Sequence, residues 1–328
     1  MKFNLKSLLK FGLALIILLN FSCVRFILED DPDVSFERIS GIVNSPVQFF
    51  VISDYGFIGE EQQKDVAKAM SDLGSKIRLD FILTCGDNFQ NMGVSSVSDS
   101  LWYYNFENIY NLKGLNVPWY PALGNHDYFG NPEALIQYSS VNPMWKMPSN
   151  YYCFTKSLNS QNKILFVVID TNNLLNEIAQ MNEDSSLYSI EQFKWLDSVL
   201  INHKEKWVVV TGHHPVYSSG IVHGDTPELI KYLKPIFDKY KVDFYICGHD
   251  HQFEHIHLKD TYTDFVITGV GGSPRTTYKG INTIFIASVA GFTFVQAYNN
   301  FLSLYFVNSN GEKIYNYEKI KVSQLNKR

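Results

Sequence analysis

Val47-Gln48-Phe49-Phe50-Val51-Ile52-Ser53-Asp54-Tyr55-Gly56 is a nearly unbroken apolar run that stops at a serine, an aspartate and a glycine. A short β-branched and aromatic run closed in this way reads as a strand buried on both faces, as in a parallel sheet, with Asp54 delivered at its carboxyl end. The same grammar recurs along the chain. Residues 80–85 lead into Gly86-Asp87-Asn88-Phe89, and residues 118–123 lead into Gly124-Asn125-His126-Asp127. Residues 207–211 lead into Gly212-His213-His214-Pro215, and residues 243–247 into Gly248-His249-Asp250-His251. Open α/β sheets place their sites at the carboxyl ends of strands, so these segments are expected to meet.

Taken singly, a Gly-Asp or Gly-His pair after a strand is turn chemistry, and Gly124-Asn125-His126-Asp127 reads as well as a polar loop. All of them together, each following a strand, point to a site. Carboxylate and amide oxygens beside imidazole nitrogens suit Fe, Mn or Zn, and a carboxylate can bridge two ions.

The order of these motifs resembles that of the calcineurin-like metallophosphoesterases and, within them, the small tartrate-resistant type of purple acid phosphatase. Most of that superfamily opens with Asp-x-His, whereas Asp54-Tyr55-Gly56 has the purple acid phosphatase form. The likeness continues through Gly86-Asp87-Asn88-Phe89, residues 145–152, Gly212-His213-His214-Pro215-Val216, Cys247-Gly248-His249-Asp250-His251 and residues 290–320. It covers nearly the whole chain beyond Val47. The resemblance implies a four-layer α/β/β/α sandwich of two mixed sheets, the metallophosphoesterase fold, with a dinuclear site at the strand ends. It implies that Asp54, Asp87 and His251 hold one ion while Asp87, Asn125, His213 and His249 hold a second, with Asp87 bridging. The implied pair is Fe with Fe, Zn or Mn. His126 and His223 resemble the two family histidines that bind phosphate oxygens and protonate the leaving alkoxide, although the interval from His213 to His223 is one residue longer here. Gln90 stands where the family has a tyrosine ligand. With Gly56 in place of a histidine as well, the first ion is left with Asp54, Asp87 and His251 as its evident protein ligands.

The activity so implied is hydrolysis of phosphate monoesters by a metal-activated hydroxide, in the manner of an acid phosphatase. Two alternatives stand beside it. One is a phosphodiesterase or nucleotidase of the same superfamily. The other is a membrane-tethered scaffold on a phosphatase fold with a weakened first metal site, as in some parasite anchor proteins that resemble purple acid phosphatases; Gln90 is the feature that favours it.

Composition sets further bounds. The chain of 328 residues is 45% hydrophobic, enough for a sizeable core, and its formal net charge of -5 without a basic block gives no case for nucleic-acid binding. Lys2, Lys6 and Lys10 precede an apolar run over residues 11–19 that ends at Ser22-Cys23, which reads as a secretory leader over residues 1–22. That run is too short for a membrane span. Ser22-Cys23 resembles a bacterial lipoprotein cleavage site, although leucine is usual where Asn20 stands, so the expected product is an exported protein, periplasmic or at the cell surface, with lipid on Cys23 preferred over plain secretion or an uncleaved N-terminal anchor. Residues 23–46, with Glu29-Asp30-Asp31-Pro32-Asp33, read as an acidic tether, and residues 47–328 as one metallophosphoesterase domain, expected to act as a monomer on phosphate esters. Cys85 and Cys247 read as small buried hydrophobes beneath the site. Cys153, in an expected strand, has no evident partner.

Helical spacing is seen over residues 60–77, 101–110, 189–200 and 227–240, with a capping box expected at Ser189-Ile190-Glu191-Gln192. Strands are expected from residue 261 onward, with a hairpin at Asn308-Ser309-Asn310-Gly311. Residues 172–186 are expected to be an irregular loop overhanging the site.

Overall fold

The computed structural model describes residues 46–182 and 186–321. The expected leader, Cys23 and the acidic run at 29–33 lie outside the described residues.

In one sheet, β1 (Val47–Ile52), β2 (Phe81–Thr84) and β3 (Trp119–Pro121) run parallel, and β11 (Gly291–Ala297), β12 (Phe301–Asn308) and β13 (Lys313–Ile320) extend it antiparallel on the other side of β1. In the second sheet, β5 (Lys163–Val168), β6 (Trp207–Thr211), β7 (Phe244–Cys247) and β9 (Asp264–Thr268) are parallel. It is flanked by antiparallel β4 (Tyr152–Ser157), β8 (Phe253–Ile256) and β10 (Thr283–Ala287). The orders are β13-β12-β11-β1-β2-β3 and β10-β8-β9-β7-β6-β5-β4.

Alternation along each strand sends its side chains to two different cores. Phe49 and Val51 of β1 face Phe166, Val209 and Ile246 of the opposite sheet, with Phe49 edge-on to Phe166 at 5.1 Å. Phe50 and Ile52 point the other way, into a core with Val66, Met70 and Leu73 of helix α1 (Gln63–Gly74). The short helices α2 (Asn108–Tyr110) and α3 (Pro132–Gln137) lie on that side. On the far side, α4 (Thr171–Ala179), α5 (Glu191–Asn202) and α6 (Pro227–Tyr240) cover Leu165, Val167, Val208 and Val210 with Leu174, Phe193, Leu196, Leu229 and Leu233. The result is a four-layer α/β/β/α sandwich of two mixed sheets, which explains why the strand sequences are apolar on both faces. Each fully buried Phe, Leu or Val contributes about 1.5–3 kcal/mol of transfer free energy.

Two local expectations are corrected and a third is refined. The irregular loop expected over residues 172–186 is corrected in its first part: Thr171–Ala179 is helical, capped by Asp170, whose side chain accepts the Asn173 N–H, and residues 183–185 lie outside the described residues. Leu174 and Ile178 supply its buried face despite the polar composition. The capping box at Ser189 does not form, because Leu187–Ser189 is a 3₁₀ turn and Ile190 occupies the N-cap. Gln192 turns inward instead, accepting the Asp170 N–H at 2.8 Å and donating to the Asp170 carbonyl at 3.1 Å. Residues 101–110 are helical but begin as a π-helical turn, Trp102–Glu107, which brings Trp102, Asn105 and Phe106 to the core together.

At the amino end of the parallel strands the sheets are tied by a buried polar cluster. Asp264, the first residue of β9, accepts from His255 Nε2 (3.1 Å), His257 Nδ1 (2.8 Å), Tyr317 (3.2 Å) and Lys319 Nζ (2.8 Å). Burial opposes a charge here, but the histidines and Lys319 hold the Asp264 carboxyl well below the usual carboxylate range.

Candidate metal centre

At the opposite end, the strand termini carry backbone that only close packing can hold. Asp54, Asp87 and His249 have φ of 55°, 49° and 70°, a region that L-residues seldom enter. Each is pinned from outside itself. The Asp54 N–H donates to the Gly86 carbonyl (3.2 Å), the His249 N–H to Asp54 Oδ2 (3.0 Å), and Asp87 Oδ1 accepts the His126 N–H (2.9 Å). Glycines at neighbouring strand ends give these carboxylates clearance. A Cβ at Gly124 would stand 2.2 Å from Asp87 Oδ1, and one at Gly248 would stand 2.4 Å from Asp54 Oδ2.

Asp54, Asp87 and His213 are buried and offer ligand atoms that lie within 4.8 Å of one another. His213 Nδ1 faces the Cys85 carbonyl at 2.8 Å and must donate to it, so Nε2 is turned to the cluster. That nitrogen stands 3.0 Å from Asn125 Oδ1, 3.2 Å from His249 Nδ1 and 3.4 Å from Asp87 Oδ2. In the same manner His251 Nδ1 donates to the Ser273 carbonyl (2.7 Å), leaving Nε2 3.4 Å from Asp54 Oδ1. Carboxylate, amide and imidazole lone pairs thus converge, an arrangement that calls for positive charge and fits a cation pair.

The electrostatics agree. Burial opposes a charged carboxyl, yet His251 and His213 hold Asp54 well below its ordinary range. Burial also opposes a charged His213, but Asp87 and Asp54 raise it to about 9, the same demand for positive charge. His249 is pushed far down by burial and by His213, His214 and His223, which keeps it in the neutral form that ligates metal. Burial pushes the Cys85 thiol up to about 12 and raises Cys247 well above its usual value, so both behave as the packing residues expected of them.

All the residues singled out in the sequence for metal or phosphate are at this end of the sandwich. His126 Nε2 stands 3.9 Å from Asp87 Oδ2, while its Nδ1 is buried without a partner among the described residues. His223, exposed on the loop between β6 and α6, stacks on His249 with ring centroids 4.0 Å apart. Gln90 is buried, and its Nε2 lies 3.3 Å from Asp54 Oδ1 and 3.5 Å from Asp87 Oδ2.

Other residues escaped the sequence reading. Asp127 accepts the backbone N–H groups of Asn88, Phe89 and Gly124 and so ties the β2 and β3 termini together. The Thr171 hydroxyl accepts the His213 and His214 N–H groups, leaving its own proton for His214 Nδ1 at 2.9 Å. Asp250 accepts from the Ser218 hydroxyl (2.5 Å) and the Gly224 N–H (3.2 Å), which fixes the loop that carries His223. Their sequence signal was only an acid or a hydroxyl adjoining a motif.

Residues 47–253 match the family model for calcineurin-like phosphoesterases. The chain belongs to this family. It is 36% identical to purple acid phosphatase 3 of Arabidopsis thaliana over 73% of this chain and 66% of that protein. It is 30% identical to human tartrate-resistant acid phosphatase type 5 over 77% of this chain and 81% of that one. A solved structure of GAP50, described as the anchor in the inner membrane complex of Plasmodium, superimposes with a TM-score of 0.75 at 26% identity, covering 85% of this chain and 90% of that one. Within the calcineurin-like phosphoesterases, the chain is therefore a homologue of the purple acid and tartrate-resistant acid phosphatases.

Proposed function

We propose that the chain is a dinuclear-metal phosphatase acting on phosphate monoesters. The observation that carries this reading is the convergence of Asp54, Asp87, Asn125, His213, His249 and His251 through carboxylate and amide oxygens and imidazole nitrogens at one end of the sandwich. Asp54, Asp87 and His251 would hold one ion, and Asp87, Asn125, His213 and His249 the other. Two ions so held lower the pKa of the attacking water and offset charge on the transferring phosphoryl group.

The remaining work falls to the chain. The strained turns at Asp54, Asp87 and His249 fix the carboxylates and imidazole before substrate arrives, so little reorganisation is needed. His126, beside Asp87 and half-exposed, would bind a phosphoryl oxygen. His223, stacked on His249 at the mouth, would give a proton to the departing alkoxide, a role worth about 10²- to 10⁴-fold in rate. Comparing a simple alkyl phosphate, a phosphodiester and a nucleotide as substrates tests the assignment. Preference for the diester or the nucleotide would move the chain to the phosphodiesterase or nucleotidase reading.

Gln90 supports a second reading, a scaffold related to GAP50 in which the first metal position has lost affinity. Retention of all the second-position residues speaks for the enzyme. The leader pattern supports export and a lipid on Cys23, which would place the domain on a membrane surface; a Cys23→Ser form that stays with the membrane fraction would contradict that anchor.

A further inference from the structure

The segment after β9 runs over the metal centre and is stitched to it. Gly271 donates to the Ser53 carbonyl (2.9 Å), and Gln62 donates to the Gly272 carbonyl (3.0 Å). The Ser273 carbonyl accepts from His251 Nδ1 (2.7 Å), and the Arg275 N–H returns to the His251 carbonyl (2.7 Å). Ser288 then holds the Arg275 carbonyl (2.6 Å), and Thr277 holds Gln252 (2.5 Å). The Arg275 backbone is therefore fixed against His251 on both sides. Its side chain is exposed and has no ion pair among the described residues.

We infer that Arg275 is a specificity-determining residue, and that the preferred substrates are phosphate monoesters whose leaving group carries a second anionic group, a carboxylate or a further phosphate. This rests on the phosphatase reading and deepens it. The scissile phosphoryl group has the buried centre and His126 to meet its charge. Arg275 is exposed outside that buried cluster, with its N–H on the carbonyl of His251, two residues from His249, over whose ring His223 lies at 4.0 Å; a guanidinium carried at this rim is on the side of the residue assigned to the leaving alkoxide. An exposed, unpaired guanidinium offers bidentate hydrogen bonds to an anionic oxygen group, and the anchored backbone leaves only the side-chain rotamers to be ordered.

The test uses a near-isosteric pair of substrates, glycerol 2-phosphate and 2-phosphoglycerate, which differ by a hydroxymethyl group against a carboxylate. The metal-loaded protein is expected to show a kcat/KM about 10- to 100-fold higher on 2-phosphoglycerate, the range of a charge-assisted hydrogen bond. Arg275→Ala should remove most of that preference through KM, and Arg275→Lys should restore part of it. No preference in the unmutated protein, or equal losses on both substrates in Arg275→Ala, would overturn the inference. Calorimetric binding of inorganic phosphate and pyrophosphate makes the same comparison without turnover. If no ester is hydrolysed, the phosphatase reading fails, while an Arg275-dependent advantage for pyrophosphate would still uphold the anion site and its absence would reject it. The thermal midpoint of Arg275→Ala should stay unchanged, since its side chain is exposed and makes no ion pair among the described residues.

Discussion

The Gln90 side-chain amide stands 3.3 Å from Asp54 Oδ1 and 3.5 Å from Asp87 Oδ2, a neutral group between the two carboxylates. Gln90 brings no charge, so the converging ligands carry only the negative charges of Asp54 and Asp87. That total suits two divalent ions better than a pair with one trivalent ion. Protein loaded with iron is expected to be colourless in the visible, because no tyrosinate is available for charge transfer. Gln90→Tyr should add a visible band and retain iron more firmly. An intense band in the unmutated protein would show another tyrosine serving as ligand.

Asp87 touches both halves of the cluster, through His213 Nε2 at 3.4 Å and through the Gln90 amide that also reaches Asp54. Asp87→Asn is therefore expected to lower occupancy of both metal positions together, measured as metal per chain by elemental analysis. His249→Ala should empty one position ahead of the other. Loss of a single metal in Asp87→Asn would argue against a bridging role.

His126 has an imidazole at the mouth and, among the described residues, no ionic contact other than Asp87. As a phosphoryl contact it should, in His126→Ala, leave the metals in place and lose activity by similar factors on an alkyl phosphate and on an activated aryl phosphate, whereas His223→Ala should lose about 10²-fold or more in kcat on the alkyl phosphate and less on the aryl one, which needs less protonation. The reverse pattern would move proton donation to His126.

Much of this centre could be read from the chain alone. The strands β1, β2, β3, β6 and β7 end just before the candidate ligands, so apolar runs and polar stops place these residues together at strand ends, while the four-layer sandwich and the ligand set came from the resemblance to the phosphoesterases. The strand β8 was silent because Glu254 and His255 interrupt its apolar pattern; their burial is compensated by Ser219, Gln252, Tyr315 and Asp264, partners distant in sequence or set by the fold. The helix α4 was hidden for a related reason, a polar composition with only Leu174 and Ile178 facing inward. Asp127, Asp250 and Arg275 act by reaching backbone or substrate across the fold, and spacing along a chain carries no record of such contacts.

The Asp264 cluster predicts a stability profile. The folded carboxyl titrates below its unfolded value of about 3.9, so its contribution is complete above about pH 4 and is lost as pH falls through the lower folded value. Asp264→Asn leaves Lys319 buried without its counter-charge and is expected to cost about 3–5 kcal/mol at neutral pH. Urea unfolding should show this loss shrinking below pH 4. A variant of unchanged stability would mean that the histidines and Lys319 are satisfied without Asp264.

The central claim is a working pair of metal positions, and metal content measured beside phosphatase activity on the same sample tests it most directly. Purified protein loaded with Mn, Zn or Fe is expected to hold close to two ions per chain and to hydrolyse phenyl phosphate in proportion to that occupancy. Fewer than one ion per chain under every loading, or full occupancy without hydrolysis of any phosphate monoester, would contradict it.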